Sequence, residues 1–458
     1  MNIPEHLIEK YNVPVPRYTS YPPANFFSID YTGKDYREAV ILSNEDEPQN
    51  ISIYLHIPFC AQLCHYCGCN THITRNEQIK AEYLEALKSE ILMLKPLLNQ
   101  SRRVSQVHWG GGTPNSLRID QIEDIMELIY KHFQFIDQPE IAIECNPAHL
   151  DHGYTERLIA AGFNRISLGI QDFSEKVLNG VNREIPAIPA ADFVRQIQAS
   201  GKAKVNLDFI YGLPHQTISS FSETMEKAIQ LQPDRLVTFS YAHVPNIKKS
   251  QKILEKAGLV PPAEKLRMFE NTYELMKSAG YVPIGLDHFA KADDELAVAL
   301  KNRSLHRNFQ GYCTRETTGQ VYAFGTTGIS QLENGYAQNA KTVSRYIELI
   351  NKGEFTTEKG YAVTAGQKII RHVINEMMCN QYISWPAAAE KMNISEEQLK
   401  QVISYDESVL EAFKSDNLLN FDRDQVIVTE LGRFFIRNIA ASFDAGLNKT
   451  GKTFSKAL

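Results

Sequence analysis

Residues 54–70 read Tyr54-Leu55-His56-Ile57-Pro58-Phe59-Cys60-Ala61-Gln62-Leu63-Cys64-His65-Tyr66-Cys67-Gly68-Cys69-Asn70. The run over 51–59 is β-branched and aromatic and predicts a strand, so the cysteines after it stand on a loop at that strand's C-terminal end. Four of the chain's 7 cysteines lie here, Cys60, Cys64, Cys67 and Cys69. An odd count with four crowded together points to metal or redox chemistry rather than a disulfide framework. Thiolates spaced C-x3-C-x2-C on a tight loop suit a [4Fe-4S] cubane, each holding one iron and leaving the fourth iron open to an outside ligand. Zinc also takes thiolates, but structural zinc draws two separated ligand pairs, and no second Cys or His pair with that spacing follows. From Pro48 to Thr74 there is no Asp, Glu, Lys or Arg, which suits a loop enclosing a cluster.

Outward from this loop, short strand-like runs alternate with amphipathic helical runs as far as residue 352, the rhythm of parallel βα units. Strands are predicted over 51–59, 104–109, 140–145, 165–170, 205–211 and 236–242. Helices are predicted over 76–97, with Ile79, Tyr83, Leu84, Leu87, Ile91 and Leu94 on one face, and over 119–133, with Ile122, Ile125, Met126 and Ile129 likewise. Six such units make most of a barrel, and barrel enzymes place their chemistry at the C-terminal ends of the strands. A further βα-like stretch has a helix over 263–279, an extended run over 281–289, a polar loop through Tyr312 and a helix over 343–351. Charges and glycines over 352–360 mark a boundary. Beyond it, helices over 365–378, 385–392 and 396–414, a hairpin over 418–429 and a helix over 430–445 resemble a winged helix. The expected architecture is α/β: a partial TIM-like (β/α)6 barrel over 51–352, an N-terminal arm over 1–50, and a mainly helical, winged-helix-like domain over 361–458.

The chain has 458 residues, enough for about three domain-sized units. Hydrophobic residues at 43% against 22% charged is globular rather than disordered composition. A formal net charge of −6 lacks the footprint of a general nucleic-acid binder, and the C-terminal unit is not markedly basic, so a small-molecule partner is expected. No window holds about 18 consecutive apolar residues and the first residues lack an apolar core, so no membrane span or signal peptide is expected and the cytoplasm is the expected compartment. Cys145, Cys313 and Cys379 stand apart from the loop and read as small buried hydrophobes.

The cysteine spacing after Tyr54-Leu55-His56-Ile57-Pro58-Phe59 resembles the radical S-adenosylmethionine superfamily. The fuller string from Cys60 to Asn70 is similar to the oxygen-independent coproporphyrinogen III oxidase family. So are Arg17 to Tyr21, His108-Trp109-Gly110-Gly111-Gly112-Thr113-Pro114, Gly169-Ile170-Gln171-Asp172-Phe173, Asp208 to Pro214, Asp287-His288-Phe289 and Asn308-Phe309-Gln310-Gly311-Tyr312. Related haem chaperones share the barrel and three cysteines but typically carry an aromatic residue where Cys69 stands. Chaperones that hold haem without turnover, and relatives that alkylate or degrade haem, are the alternative readings.

The resemblance implies a radical S-adenosylmethionine barrel with Cys60, Cys64 and Cys67 on the cluster and Cys69 near the reacting centre. The aromatic, proline-rich arm around Arg17 and Tyr18 is expected to close over the barrel mouth, tyrosines on pyrroles and the guanidinium on a carboxylate; the alternative is a surface strap, with Arg307 of the loop over 305–312 as the next carboxylate partner. It carries Tyr54, Gly111, Glu144 and Ile329 to one S-adenosylmethionine, and Tyr66, Gly112, Thr113, Gln171, Arg183, Asp208 and Ala242 to a second. It implies hydrogen abstraction from propionate β-carbons of coproporphyrinogen III, with loss of an electron and CO2 to leave vinyl groups, an electron donor such as flavodoxin or ferredoxin, and a monomer. On the residues alone, Glu144, Gln171, Asp208 and Ala242 are expected at successive strand ends, where a polar group needs a partner; a bound ribose or ammonium would supply one, as would the next helix start.

Overall fold

In the computed structural model, which describes residues 3–314, 320–447 and 454–455, the strand pattern becomes one 12-stranded sheet. The outermost residues of the arm and of the C-terminal unit, 1–2 and 456–458, lie outside the described residues, as do 448–453. Strands β1 (Ile51–Ile57), β2 (Arg103–Gly111), β3 (Gln134–Cys145), β4 (Arg165–Gln171), β5 (Lys204–Tyr211) and β6 (Arg235–Ser240) lie side by side, each parallel to the next. In β1 the apolar Ile51, Ile53, Leu55 and Ile57 are buried on one face and Ser52 and His56 on the other, so the strand is covered on both faces. The helix Glu77–Leu94 starts where Asn76 Oδ1 accepts from Gln78 N at 2.9 Å, and it buries Tyr83, Leu84, Leu87, Ile91 and Leu94 as its period demands. This is the partial α/β barrel of six units.

The sheet extends past the barrel at both ends. Beside β1 runs the parallel strand Gln320–Phe324, then the antiparallel strands Ile329–Leu332, Gly335–Asn339 and Thr357–Ala362. Beyond β6 lie His288–Ala290 and Val282–Ile284, both antiparallel to their neighbours. The stretch over 352–360, read as a boundary, therefore runs into the last strand of the sheet. The extended run over 281–289 is two short strands, whereas those over 305–314 carry too little alternation to stand out from a polar loop.

The helix predicted over 396–414 is two helices, Glu396–Val402 and Glu407–Ser415. Ser404 at φ 53° turns the chain, and Asp406 caps the second helix by accepting from Ser408 N at 2.9 Å. The final helix begins with a 3-10 turn over Gly432–Phe435 before Ile436–Ala441. A three-stranded sheet of Tyr382–Ser384, Gln425–Val428 and Leu419–Phe421 accompanies these helices, the hairpin gaining a strand that the sequence did not mark.

The arm is core rather than strap. It holds two helices, Glu5–Tyr11 and Gly33–Leu42, and buries Leu7, Tyr11, Tyr18, Tyr21, Tyr36 and Val40. Tyr11 packs on Phe413 and Phe435, and Arg437 donates to the Val15 and Pro16 carbonyls. No helix among the described residues is long and apolar enough to cross a membrane.

Glu90 ties the first barrel helix to the sheet extension. Its carboxylate accepts from Gly325 N at 2.8 Å, Asn339 Nδ2 at 2.8 Å, Tyr346 Oη at 2.6 Å and Thr356 Oγ1 at 3.1 Å. Burial nevertheless raises its pKa from 4.5 to about 7. A folded pKa above the unfolded one means that the protonated group's contribution is complete below about 4.5 and is lost as pH rises through about 7. Glu90→Gln removes this titration. In urea unfolding followed between about pH 5 and pH 8, wild-type stability should fall by up to about 1.4 kcal/mol per pH unit more steeply than that of the variant below neutrality. Parallel profiles would show that Glu90 keeps its charge throughout.

Candidate active site at the barrel rim

Pro58 ends β1, and the chain pairs again at once, Phe59–Cys60 running parallel to His72–Ile73. That pairing closes the cysteine loop at its base, with His72 N donating to Pro58 O at 2.7 Å and Thr74 N to Cys60 O at 3.0 Å. Other rim segments hold the rest of the loop. His65 N donates to Val181 O at 2.9 Å, Asn182 Nδ2 to Leu63 O at 2.8 Å, Gln251 Nε2 to Tyr66 O at 3.0 Å, and Lys248 Nζ to Cys69 O at 2.6 Å.

The glycines after β2 make this approach possible. Gly112 N donates to Ile57 O at 2.8 Å, and a Cβ on Gly112 would lie 2.7 Å from Pro58 O. Gly111 has φ +116°, a conformation only glycine holds without strain. Thr113 then sits against the loop, its Oγ1 3.3 Å from Cys60 Sγ.

One cavity of about 1360 Å³ opens over these strand ends. Cys60, Cys64, Cys67 and Cys69 line it, with Tyr66, Gly111, Gly112, Thr113, Glu144, Gln171, Arg183, Asp208, Ala242 and Arg17. The strand-end reading thus gathers residues from all the parallel strands or the loops after them. Asp208 is inside β5 rather than at its end, and Ala242 lies past the end of β6. Tyr54, Tyr18 and Ile329 are not on the cavity wall. Tyr54 stands behind it, stacked on His108 at 5.9 Å with its hydroxyl 3.2 Å from His56 Nδ1. Ile329 is in the antiparallel extension, opposite Gln338. Tyr18 corrects the expectation of a tyrosine on the substrate: its ring is buried and its hydroxyl donates to Asp444 Oδ2 at 3.0 Å, so it fastens the arm while its neighbour Arg17 reaches the cavity.

The wall carboxylates Glu144 and Asp208 are paired. His108 Nε2 lies 3.0 Å from Glu144 Oε1, and Ser167 Oγ donates to Asp208 Oδ2 at 2.7 Å. Burial raises the Asp208 carboxyl to about 6. Gln171, at φ 69°, folds back over Gly169, where a Cβ would lie 2.9 Å from its Nε2. Arg183 Nη2 donates to Gly169 O at 2.6 Å, while its Nη1 stands 3.9 Å from Cys64 Sγ. Cations therefore reach a loop that has none of its own. The Cys67 thiol is lowered, first by a hydrogen bond from Cys69 and further by Lys248 and Arg183, whereas burial raises the Cys60 thiol to about 11. Arg307, the second cation singled out in sequence, lines the cavity as well, and so do Lys265, Arg433 and Arg437, which sequence periodicity had no means to show.

The donor set fits a cluster better than a single ion. Among the described residues no three His, Cys, Asp or Glu side chains converge to hold one metal ion. A cubane asks for separate thiolates on separate irons, and three partly exposed thiols on one cavity wall supply them. Residues 54–228 match the family model of the radical SAM superfamily. The oxygen-independent coproporphyrinogen III oxidase of Synechocystis is 41% identical, covering 99% of this chain and 97% of the relative, and that of Escherichia coli is 39% identical over 97% and 96%. The chain belongs to the oxygen-independent coproporphyrinogen III oxidase family. The solved structure of the Escherichia coli coproporphyrinogen III oxidase, a radical SAM enzyme, superposes with a TM-score of 0.90 at 37% identity, covering 98% of this chain and all of that one. The family's [4Fe-4S] cluster and S-adenosylmethionine are the cofactors of this chain.

Cys64→Ala should lose iron and sulfide to near background after anaerobic reconstitution, because two thiolates cannot hold a cubane with one open iron. Cys69→Ser should keep wild-type iron while product formation falls at least tenfold. Equal iron loss in the two variants would make Cys69 a ligand.

Proposed function

We infer that this chain carries out the oxygen-independent oxidative decarboxylation of two propionate side chains of coproporphyrinogen III to vinyl groups, giving protoporphyrinogen IX. The carrying observation is that a single cavity joins the three thiols to a set of cationic side chains, Arg17, Lys265, Arg307, Arg433 and Arg437, in a chain of net charge −6. A substrate with four carboxylates requires local cations of this kind. Full-length similarity to oxidases of this name supports the same substrate.

When bound, the cluster and S-adenosylmethionine supply an electron and a 5′-deoxyadenosyl radical that takes a hydrogen atom from a propionate β-carbon. Cys60, Cys64 and Cys67 would hold three irons of the cluster. The close-packed backbone at Gly111 and Gly112 leaves room for the methionine end of S-adenosylmethionine, with Thr113 adding a hydroxyl. Glu144 and Asp208 would accept from ammonium or ribose hydroxyls, and Gln171 would pair with the same polar groups. Arg183, held by Gly169 O, would fork onto a carboxylate. A second S-adenosylmethionine on Tyr66, Gly112, Thr113, Gln171, Arg183, Asp208 and Ala242 belongs to this reading, supported by their common place on the wall. Tyr54 would act through His108 and Glu144 rather than by contact. Ile329 would contribute from behind the wall. The reading includes a one-electron donor of flavodoxin or ferredoxin type and a cytoplasmic monomer.

Anaerobic incubation of the reconstituted full chain with reductant, S-adenosylmethionine and coproporphyrinogen III should give 5′-deoxyadenosine and a divinyl porphyrinogen by mass analysis. Formation of 5′-deoxyadenosine with intact propionates would overturn the reading. Arg183→Ala should raise the S-adenosylmethionine requirement about 10- to 100-fold at unchanged iron content, the loss of one charge-assisted pair. An unchanged requirement would remove Arg183 from cosubstrate binding.

A further inference from the structure

Arg307 stands on a hairpin, Leu305–Asn308 paired with Gly311–Thr314, that forms part of the cavity wall. The hairpin is bolted to the helix Ala365–Asn380: Leu305 N donates to Asn380 Oδ1 at 3.0 Å, and Asn380 Nδ2 returns to Leu305 O at 3.2 Å. The guanidinium lies over the Tyr312 ring, 5.0 Å from its centroid. Its Nε and Nη1 are buried and have no hydrogen-bond partner among the described residues. The same holds for Nδ2 of the adjacent Asn308 and for Nε of Arg433. A donor left unmatched is costly, more so when it is charged. Four of them on residues of one cavity leave this part of the wall short of acceptors.

The surrounding charge has the same sense. Lys265 is held below its ordinary pKa by burial and by Arg17. Arg437 is pulled down to about 10 by burial, by Arg17 and by Arg307. Cations are thus gathered at mutual cost. The carboxylate that feels both Arg307 and Arg17 is Asp287, and His288 Nδ1 already holds it at 2.6 Å. The thiols feel a different pair of cations, Arg183 and Lys248.

We propose that Arg307, with Asn308 beside it and Arg17 and Lys265 on the same cavity, is a carboxylate seat for a propionate of the bound tetrapyrrole other than the one undergoing oxidation. The proposal rests on the substrate reading above. The reacting propionate must bring its β-carbon to the thiol loop, where the cosubstrate binds; a propionate on the hairpin wall is a handle that orients the ring. Nε and Nη1 lie on different edges of the guanidinium, so a carboxylate would fork onto Nη2 with one of them, and the hairpin's fixed position lets it bind with little ordering cost.

The test is fluorescence titration of the anaerobic, cluster-loaded full chain with coproporphyrin III and with its tetramethyl ester. Arg307→Gln should weaken the acid about 10- to 100-fold and leave the ester unchanged, with iron content and thermal midpoint as folding controls. Arg307→Lys, which keeps the charge but not the fork, should fall between the two, and it carries the test should the Gln variant fail those controls. A wild-type acid-to-ester ratio in the variants, or equal weakening of both probes, overturns the seat. Product assays separate the two claims. Wild-type protein that forms divinyl product while Arg307 variants bind normally sinks only the seat; Arg307-dependent acid binding without any vinyl product sinks only the substrate reading.

Discussion

The close contact between the end of β1 and the glycines after β2 is the constraint on which the site depends. Gly112 N reaches Ile57 O, and its α-carbon sits where a side chain would collide with Pro58 O. That contact fixes where the chain leaves the sheet at Pro58, and hence where Cys60 emerges beside Thr113. Further along, the loop is held by other rim segments: Asn182 after β4 and Lys248 and Gln251 after β6 donate to it, and His65 N donates to Val181 O. A loop without charges of its own depends on such neighbours, because its buried carbonyls need partners and its thiolates need cations.

The cavity then divides its electrostatics. On the thiol side Arg183 and Lys248 favour thiolate, and the acidic groups Glu144 and Asp208 are paired with His108 and Ser167. The rest of the wall carries Arg17, Lys265, Arg267, Arg307, Arg433 and Arg437 against Glu5, Glu9, Glu270 and Asp287. Gathering so many charges has a desolvation cost, which a polyanionic ligand pairing with the cations would offset.

How much of this was legible in sequence depends on range. The cysteine spacing, the strand that precedes it and the helix over 77–94 are local patterns, and they appear where predicted, within a few residues. The antiparallel strands beyond β1 are formed by long-range pairing of short segments, so alternation alone did not reveal them. The break near Ser404 carried a capping signal at Asp406, which the apolar period over 396–414 overrode. Tyr18 and Arg17 show the limit most plainly. Adjacent residues in one segment take opposite sides, one hydrogen-bonded to Asp444 and the other on the cavity, and only the tertiary packing of the arm decides which.

That packing makes the C-terminal unit part of the site. Arg437 holds the Val15 and Pro16 carbonyls, and Asp444 accepts from both Tyr18 and Tyr21, at 3.0 Å and 2.9 Å, so the arm's position on either side of Arg17 is set from the far end of the chain. Burial also lifts the Asp444 carboxyl above its ordinary pKa, with the two phenols opposing that shift by donating to its charged form. The hairpin bearing Arg307 is fixed from the same unit, through Asn380. The parallel strands alone supply the thiol loop and its polar neighbours. The cationic wall exists only when segments separated by four hundred residues close on one another, which is why the substrate side of the cavity is a property of the whole chain.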